Sequence, residues 1–198
     1  MTVLQLLIIV PKSIANEKQI QIAAGTVETV FKLSADIDVK YEVQLIDNHD
    51  GNVYRDAQFH VEFGHIAQNM NHLRDLAWQY AQSKPRNKYV LFLCSQVMDR
   101  DQHSNTLVAR NSNGATLTGE GVSFIAVQRP KSTVGDGDGQ TWAHEIGHGL
   151  GLDHFGDVTN LMHASRHDAT GQISGWELTV EQKDTMRKHC TKLATNGM

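Results

Sequence analysis

The first half of the chain alternates between apolar patterns that are typical of strands and of helices. Val3–Val10 and Tyr89–Cys94 are continuous apolar runs, which predict strands buried on both faces. Between them, the pattern predicts a helix capped by Asn16, a half-buried strand from near Val39 and a second helix from near Ile66. This β-α-β-α-β order predicts a parallel sheet. The core-facing positions are Ile20, Ala23, Ala24, Val27 and Phe31 in the first helix, Val39, Tyr41, Val43 and Leu45 in the strand, and Ile66, Met70, Leu73, Ala77 and Tyr80 in the second helix.

After this first half, the pattern becomes irregular before it turns helical again. Residues 97–120 are polar and rich in Gly, Asn and Asp, with Leu107–Arg110 as a short strand candidate. Val122–Val127 predicts a further strand. Gly135–Gly139 cannot be helical for long, but it can cap a helix that starts near Gln140. The apolar side of that helix carries Ala143, Ile146 and Leu150.

A last helix is predicted from Thr179, whose spacing to Gln182 is that of a capping box. Its buried positions are Met186, Cys190 and Leu193. No repeat, low-complexity tract or Pro-rich linker interrupts the 198 residues, a length within the usual range of one domain. We therefore expect a single domain over residues 1–198.

The composition excludes several classes of protein. Charged residues make up 20% and the formal net charge is −4, which excludes a disordered chain and argues against a nucleic-acid binder, since such a binder needs a basic surface. With 11 histidines and only 2 cysteines, the chain is neither a disulfide scaffold nor a cysteine-ligated zinc protein. A histidine-ligated metal protein stays open. Cys94 and Cys190 are expected to be buried thiols, with a bridge between them as the alternative.

The N-terminal apolar run is too short to span a membrane, which takes about 20 residues. No positively charged segment precedes it and no small-residue cleavage site follows it, so we expect no secretory signal and no membrane span. Two locations stay open: the cytoplasm, and the outside of the cell after export by a leaderless route.

The stretch from His144 to His154 has the spacing of a metal site. On a helix, His144 and His148 lie one turn apart on one face, so both rings can reach one zinc ion. Glu145, next to the first ligand, can contact a water at the open zinc position. Gly151 allows the chain to leave the helix in a left-handed conformation, which can bring His154 back as third ligand. Three imidazoles and one open position indicate a catalytic zinc site.

This stretch, HExxHxxGxxH, resembles the signature of the metzincin zinc metallopeptidases, which a Met-turn follows. The Met-turn candidate is Met162, eight residues after His154, a compact spacing similar to that of the matrixins. The resemblance implies an α/β (α+β), zincin-like fold: a mixed, mostly parallel five-stranded twisted sheet with an active-site helix, Met-turn and C-terminal helix. We expect an N-terminal subdomain of about residues 1–151 and a C-terminal subdomain of about 152–198. The resemblance also implies an antiparallel strand that binds the substrate backbone.

Several positions depart from the metzincin pattern and leave the subfamily unassigned. Phe155, directly after the third histidine, matches none of the major subfamilies. Ala164 stands where many members have a proline, or a tyrosine that supports the oxyanion. No inhibitory pro-segment or cysteine switch is recognisable, because Cys94 lies within a predicted strand. Control of the activity is therefore expected from outside this chain.

The resemblance implies a zinc metalloendopeptidase that hydrolyses peptide bonds by attack of a zinc-bound water, with Glu145 as the general base. The expected partners are a protein or peptide substrate and, for control, a protein inhibitor, and the protein is expected to be a monomer. Two alternatives stay open: a catalytically silent zinc-bearing binding module, and a narrow-specificity, toxin-like effector protease.

Two further clusters could bind metals, although each has a simpler interpretation. His163 and His167 could hold a second metal but are expected to line the pocket beside the Met-turn. Asp136 and Asp138 could bind Ca²⁺ but are expected to cap the active helix.

Overall fold

A computed structural model describes the chain over residues 1–12, 16–46, 60–62, 87–94, 96–100, 107–109, 114–117, 119, 121–126, 137–164 and 175–196. Within these ranges the strands are β1 (Thr2–Pro11), β2 (Ile37–Ile46), β3 (His60–Glu62), β4 (Tyr89–Cys94), β5 (Gln96–Arg100), β6 (Leu107–Ala109), β7 (Gly114–Leu117) and β8 (Val122–Ala126). The helices are α1 (Glu17–Ala35), α2 (Gly137–Gly149) and α3 (Val180–Asn196). None of these helices is long and apolar enough to cross a membrane.

Five strands form the main sheet, in the order β2-β1-β4-β8-β7. The first four run parallel to one another, and β7 runs antiparallel to β8 at one edge. This topology confirms the predicted mixed, mostly parallel sheet. A separate three-stranded sheet of β3, β5 and β6 also forms, and the sequence pattern predicts only its short strand at Leu107.

Local sequence signals fix the first turns of two helices. Asn16 caps α1 as predicted, because its side-chain oxygen accepts the backbone N–H of Gln19 at 3.2 Å. Thr179 and Gln182 form the predicted capping box before α3. The Thr179 hydroxyl accepts the N–H of Gln182 at 3.2 Å, and the Gln182 side-chain oxygen accepts the N–H of Thr179 at 2.9 Å.

Helix α2 begins at Gly137, three residues before the predicted start near Gln140. The reason is its packing on α1. A Cβ at Gly139 would lie 2.2 Å from the Cβ of Thr26, so the two helices approach closely only because residue 139 is glycine. This tertiary contact overrides the low helix propensity of a glycine-rich segment.

One cluster of buried apolar side chains joins the main sheet to the three described helices. Ile8 of β1 and Leu91 of β4 are completely buried in it, as are Phe31 of α1, Ile146 of α2 and Met186 of α3. Burial on both faces explains why β1 and β4 are continuous apolar runs in the sequence. The predicted buried positions of α3 are confirmed: they are Met186, Cys190 and Leu193.

β2 is less buried than its alternating pattern predicts. Val39 is 5% exposed, but Tyr41, Val43 and Leu45 are 38%, 42% and 42% exposed. The strand lies at the edge of the main sheet, where its described partner is β1. Alternation shows that a strand has an apolar face, but it does not show whether another element covers that face.

Cys94 and Cys190 are separate buried thiols, as expected, and the alternative of a bridge between them is wrong. The Cys94 thiol donates to the carbonyl oxygen of Ile125 at 3.4 Å. Burial raises the pKa of both thiols, that of Cys190 to about 12. Both side chains therefore stay protonated at neutral pH and act as small apolar groups in the core.

Candidate metal centre

Helix α2 presents two histidines whose rings are anchored by backbone carbonyls. His144 Nδ1 lies 2.8 Å from the carbonyl oxygen of Leu161, and His148 Nδ1 lies 2.6 Å from that of Leu152. A carbonyl can only accept, so each Nδ1 must carry a proton and donate it. In the neutral imidazole this leaves the lone pair on Nε2, which is the state a metal ligand needs.

The two Nε2 atoms face each other at 3.2 Å. When both rings are neutral with the proton on Nδ1, each Nε2 carries a lone pair, and a bound cation would remove the repulsion between two lone pairs at this distance. Zinc–nitrogen bonds of about 2.0–2.1 Å at tetrahedral angles place two ligand nitrogens roughly 3.3–3.4 Å apart. The pair formed by His144 and His148 therefore fits a zinc ion.

Gly151 brings a third histidine to the same point. Its φ of +87° lies in the left-handed region that favours glycine, as predicted. The turn places the His154 ring centroid 5.5 Å from that of His144 and 4.6 Å from that of His148. One potential ligand atom from each of the three residues lies within 4.8 Å of the others, so the three histidines could hold a metal ion.

The surroundings of His154 favour its neutral form. Partial burial lowers the pKa of His154 below its usual 6.5, and the neighbouring His148 lowers it further. A metal binds the neutral imidazole, so these effects favour a ligand that is ready to coordinate.

Glu145 lies one residue after the first histidine, and its side chain extends along β7. The Thr116 hydroxyl donates to its carboxylate Oε2. A Cβ at Gly114 would lie 2.6 Å from Glu145 Cγ, so glycine leaves the space that this side chain occupies. The Glu145 backbone carbonyl is also within 3.0 Å of the Ser123 hydroxyl and 3.3 Å of the Tyr89 hydroxyl. Hydroxyls from three strands thus surround the predicted general base.

Met162 is completely buried beneath α2, at the point where the helix has a glycine. A Cβ at Gly147 would lie 2.6 Å from the Met162 sulfur. The Met162 carbonyl accepts the N–H of Phe155 at 2.9 Å, and Asn160 Oδ1 accepts the N–H of Met162 at 2.9 Å. The residue before it, Leu161, supplies the carbonyl that anchors His144. The turn that contains Leu161 and Met162 therefore contacts α2 at both His144 and Gly147.

The structure brings the predicted residues His144, Glu145, His148, His154 and Met162 together. Other predictions fall outside the described residues: the helix around Ile66–Tyr80, Asp136, His167 and the side chain of Asp138. A second metal at His163 with His167, and Ca²⁺ at the aspartates, therefore stay predictions from the sequence.

Sequence reasoning missed the hydroxyls around Glu145. Ser123 is a completely buried polar residue within the apolar strand β8, and it pairs across the sheet with Thr116. A single serine within an apolar strand, such as Ser123, is a weak indication that a polar residue lies opposite it on the neighbouring strand. Which partner it meets depends on the pairing of β7 with β8, which the sequence pattern did not reveal.

No protein-family model matches the chain, and no curated protein matches it in sequence. Solved structures match its fold. Metalloproteinase-II from Bacteroides fragilis is 18% identical with a TM-score of 0.54, and the match covers 95% of this chain and 53% of that protein. A zinc-dependent peptidase from Methanocorpusculum labreanum is 11% identical with a TM-score of 0.55, and the match covers 91% of this chain and 99% of that protein. Archaemetzincin from Methanopyrus kandleri is 14% identical with a TM-score of 0.56, and the match covers 95% of this chain and 96% of that protein. The chain spans about half the length of the Bacteroides protein. The likeness shows a fold shared with a metalloproteinase, a zinc-dependent peptidase and archaemetzincin.

Proposed function

We propose that this chain is a zinc-dependent endopeptidase of the metzincin type. In this proposal His144, His148 and His154 hold the zinc, Glu145 is the general base and Met162 is the methionine of the Met-turn. The observation that carries it is the pair of Nε2 atoms 3.2 Å apart, on two rings whose Nδ1 atoms donate to backbone carbonyls and whose Nε2 atoms are therefore the ligand atoms of the neutral imidazoles. The shared fold with zinc peptidases supports it independently.

The donor set fits zinc in a catalytic role. Three neutral imidazoles leave one position open to water or substrate, whereas structural zinc sites have four protein ligands. When bound, zinc supplies Lewis acidity, which makes a water molecule more acidic and polarises a carbonyl oxygen. Ca²⁺ has no support in the described residues, because it prefers oxygen ligands and these three groups offer nitrogen.

The residues of the chain supply the proton transfers and the orientation. Glu145 accepts the proton of the attacking water and returns it to the leaving amine of the peptide. The carbonyls of Leu161 and Leu152 hold the rings of His144 and His148 in one orientation, so little reorganisation is needed during the reaction.

A peptide substrate fits the edge of the main sheet. β7 is its edge strand on the side of α2, and β7 and α2 are in contact. An extended peptide can add to such an edge through main-chain hydrogen bonds. A cleavage point within a longer chain, as in an endopeptidase, is compatible with this mode because a strand can run past the site in both directions.

Two alternatives make different predictions. A catalytically silent zinc-bearing module would bind zinc and peptide without cleavage. A toxin-like effector protease would cleave one protein and leave a general peptide library intact. The packing of Glu145 against β7 favours an enzyme, because a silent module has no use for a carboxylate held beside the metal site.

The test combines zinc stoichiometry with cleavage of a peptide library and of candidate proteins. The parent protein should bind one zinc per chain and cleave. Glu145→Ala should bind the same amount of zinc and cleave slower by about 10²–10⁴-fold, the usual contribution of a general base. Glu28→Ala, an exposed glutamate on α1, is the matched control and should behave as the parent does.

The outcomes separate the alternatives. Zinc binding by the parent without cleavage of any substrate would favour the binding module. Absence of zinc from the parent, or cleavage by Glu145→Ala at the parental rate, would show that the proposed function is wrong.

A further inference from the structure

We propose that Thr116 is a positioning residue, which fixes the carboxylate of Glu145 through a hydrogen-bonded chain of three buried or half-buried hydroxyls. This inference rests on the proposed function, because it concerns how the general base is held. It adds a role for the edge strand β7 beyond the binding of a peptide backbone.

The three hydroxyls come from three neighbouring strands of the main sheet. Tyr89 on β4 and Ser123 on β8 are completely buried, and Thr116 on β7 is half-buried. The Tyr89 and Ser123 oxygens lie 2.5 Å apart, and the Ser123 and Thr116 oxygens lie 2.8 Å apart. The Thr116 hydroxyl then contacts Glu145 Oε2. The chain thus runs from the centre of the sheet to the carboxylate.

Only one assignment gives each of these three contacts a proton. An ionised carboxylate only accepts, so Thr116 must donate to Glu145. Thr116 then has no further proton, so Ser123 donates to Thr116 and Tyr89 donates to Ser123. Burial raises the pKa of Tyr89, which keeps this first donor protonated. Donors in such a chain polarise one another, which strengthens the last bond to the carboxylate.

The same strand also shapes the apolar part of the Glu145 side chain. Gly114 and Thr116 are two residues apart, so they share one face of β7. A Cβ at Gly114 would come within 2.6 Å of Glu145 Cγ and 2.7 Å of Cδ. Glycine therefore lets the side chain lie against the strand, and threonine binds its end. Two residues of β7 together set where the carboxylate points.

If Thr116 had only a structural role, its hydroxyl would contact the backbone of α2 and not the carboxylate of Glu145. The Thr116 hydroxyl lies 3.1 Å from the carbonyl oxygen of Glu145, and the Ser123 hydroxyl lies 3.0 Å from it. In the proton assignment above, neither hydroxyl has a proton left for this carbonyl, and Thr116 is the hydroxyl in this trio that contacts the carboxylate. Loss of the Thr116 hydroxyl should therefore affect the reaction more than the fold.

The experiment compares Thr116→Val, which removes the hydroxyl and keeps the shape, with Thr116→Ser, which keeps the hydroxyl. Thr191→Val, an exposed threonine on α3, controls for the substitution itself. On a peptide that the parent cleaves, kcat and KM are measured together with zinc content. A crystal structure of Thr116→Val shows where the Glu145 carboxylate lies.

We expect Thr116→Val to keep its zinc and its KM while kcat falls by about 10- to 100-fold, since misplacement of a catalytic group by about 1 Å has this effect. Its crystal structure should show a displaced carboxylate. Thr116→Ser keeps the hydroxyl, so its kcat should stay within about threefold of the parental kcat. Gly114→Ala should lower kcat in the same way, because the new Cβ displaces the flexible Glu145 side chain.

Parental kcat in Thr116→Val, or an unmoved carboxylate in its crystal structure, would overturn the inference. Equal loss of kcat in Thr116→Ser and Thr116→Val would overturn it as well, because the hydroxyl would then not matter. If Thr116→Val does not fold, Gly114→Ala with parental kcat overturns it, and lowered kcat with zinc retained supports it. Failure of the proposed function is distinct: the parent itself would not cleave, or Glu145→Ala would cleave as fast as the parent.

Discussion

Two backbone carbonyls decide which nitrogen of each helix histidine is available to a metal. The spacing of His144 and His148 in the sequence predicts that their rings converge. The acceptor for His148 is also local, because the Leu152 carbonyl lies four residues further along, in the turn after α2. The acceptor for His144 is not, because the Leu161 carbonyl lies 17 residues further along and reaches the ring only when the chain has folded. The convergence of the two rings is thus encoded locally, and the orientation of the His144 ring depends on tertiary structure.

Gly151 is the residue on which the position of His154 depends. Its φ is +87°, and a Cβ there would lie 2.6 Å from Cε1 of His189 on α3. We expect Gly151→Ala to lower the free energy of unfolding by about 1–3 kcal/mol, since it combines a left-handed backbone with a clash. It should also weaken zinc binding, because His154 follows the turn. Chemical denaturation and zinc titration measure the two effects.

Gly25→Ala is the matched control for that substitution. Gly25 lies inside α1, its φ is ordinary and nothing lies within 4 Å of an added Cβ. It should raise the free energy of unfolding by about 0.5–1 kcal/mol, the usual gain in a helix interior. Equal effects of the two substitutions would show that the turn at Gly151 is not under conformational constraint.

At the scale of elements, helix α3 begins in a capping box that also holds the turn with Met162. Gln182 accepts the N–H of Thr179 and, with the same side-chain oxygen, the amide of Asn160 at 2.8 Å. Asn160 in turn accepts the N–H of Met162. Hydrogen bonds therefore connect the first turn of α3 to the turn that contains Met162.

Thr179→Ala should lower the free energy of unfolding by about 0.5–2 kcal/mol, because the first turn of α3 loses its cap. Thr195→Ala, an exposed threonine near the end of the same helix, should have a much smaller effect. Thermal or chemical unfolding of both variants checks this. Similar stability of Thr179→Ala and Thr195→Ala would contradict a role for the capping box.

Elements with a strong local signal could be predicted from the sequence, as could the mixed, mostly parallel sheet, but the register between neighbouring strands could not. The apolar runs of β1 and β4 and the caps at Asn16 and Thr179 act over a few residues, so pattern and spacing suffice. The antiparallel edge strand β7 depends on its register with β8, in which Gly114 faces Ile125 and Thr116 faces Ser123. That register also creates the hydroxyl chain, which is why sequence reasoning missed it.

At the scale of the whole molecule, one apolar cluster includes Leu4 near the N-terminus and Leu193 near the C-terminus. We propose on this basis that residues 1–198 form one domain and that the metal centre lies between its two parts, up to about residue 151 and from about 152. His144 and His148 belong to the first part and His154 to the second. A zinc ion would therefore join the two parts, and loss of zinc should affect activity and stability together.

The most direct test of the account is a zinc titration of the metal-free protein, with the initial rate of peptide cleavage as the readout. If His144, His148 and His154 form one catalytic site beside Glu145, a chelator should abolish cleavage, and added zinc should restore it linearly up to one equivalent per chain, after which the rate stays constant. Cleavage that persists without zinc, or that does not return when one equivalent has bound, would contradict the account.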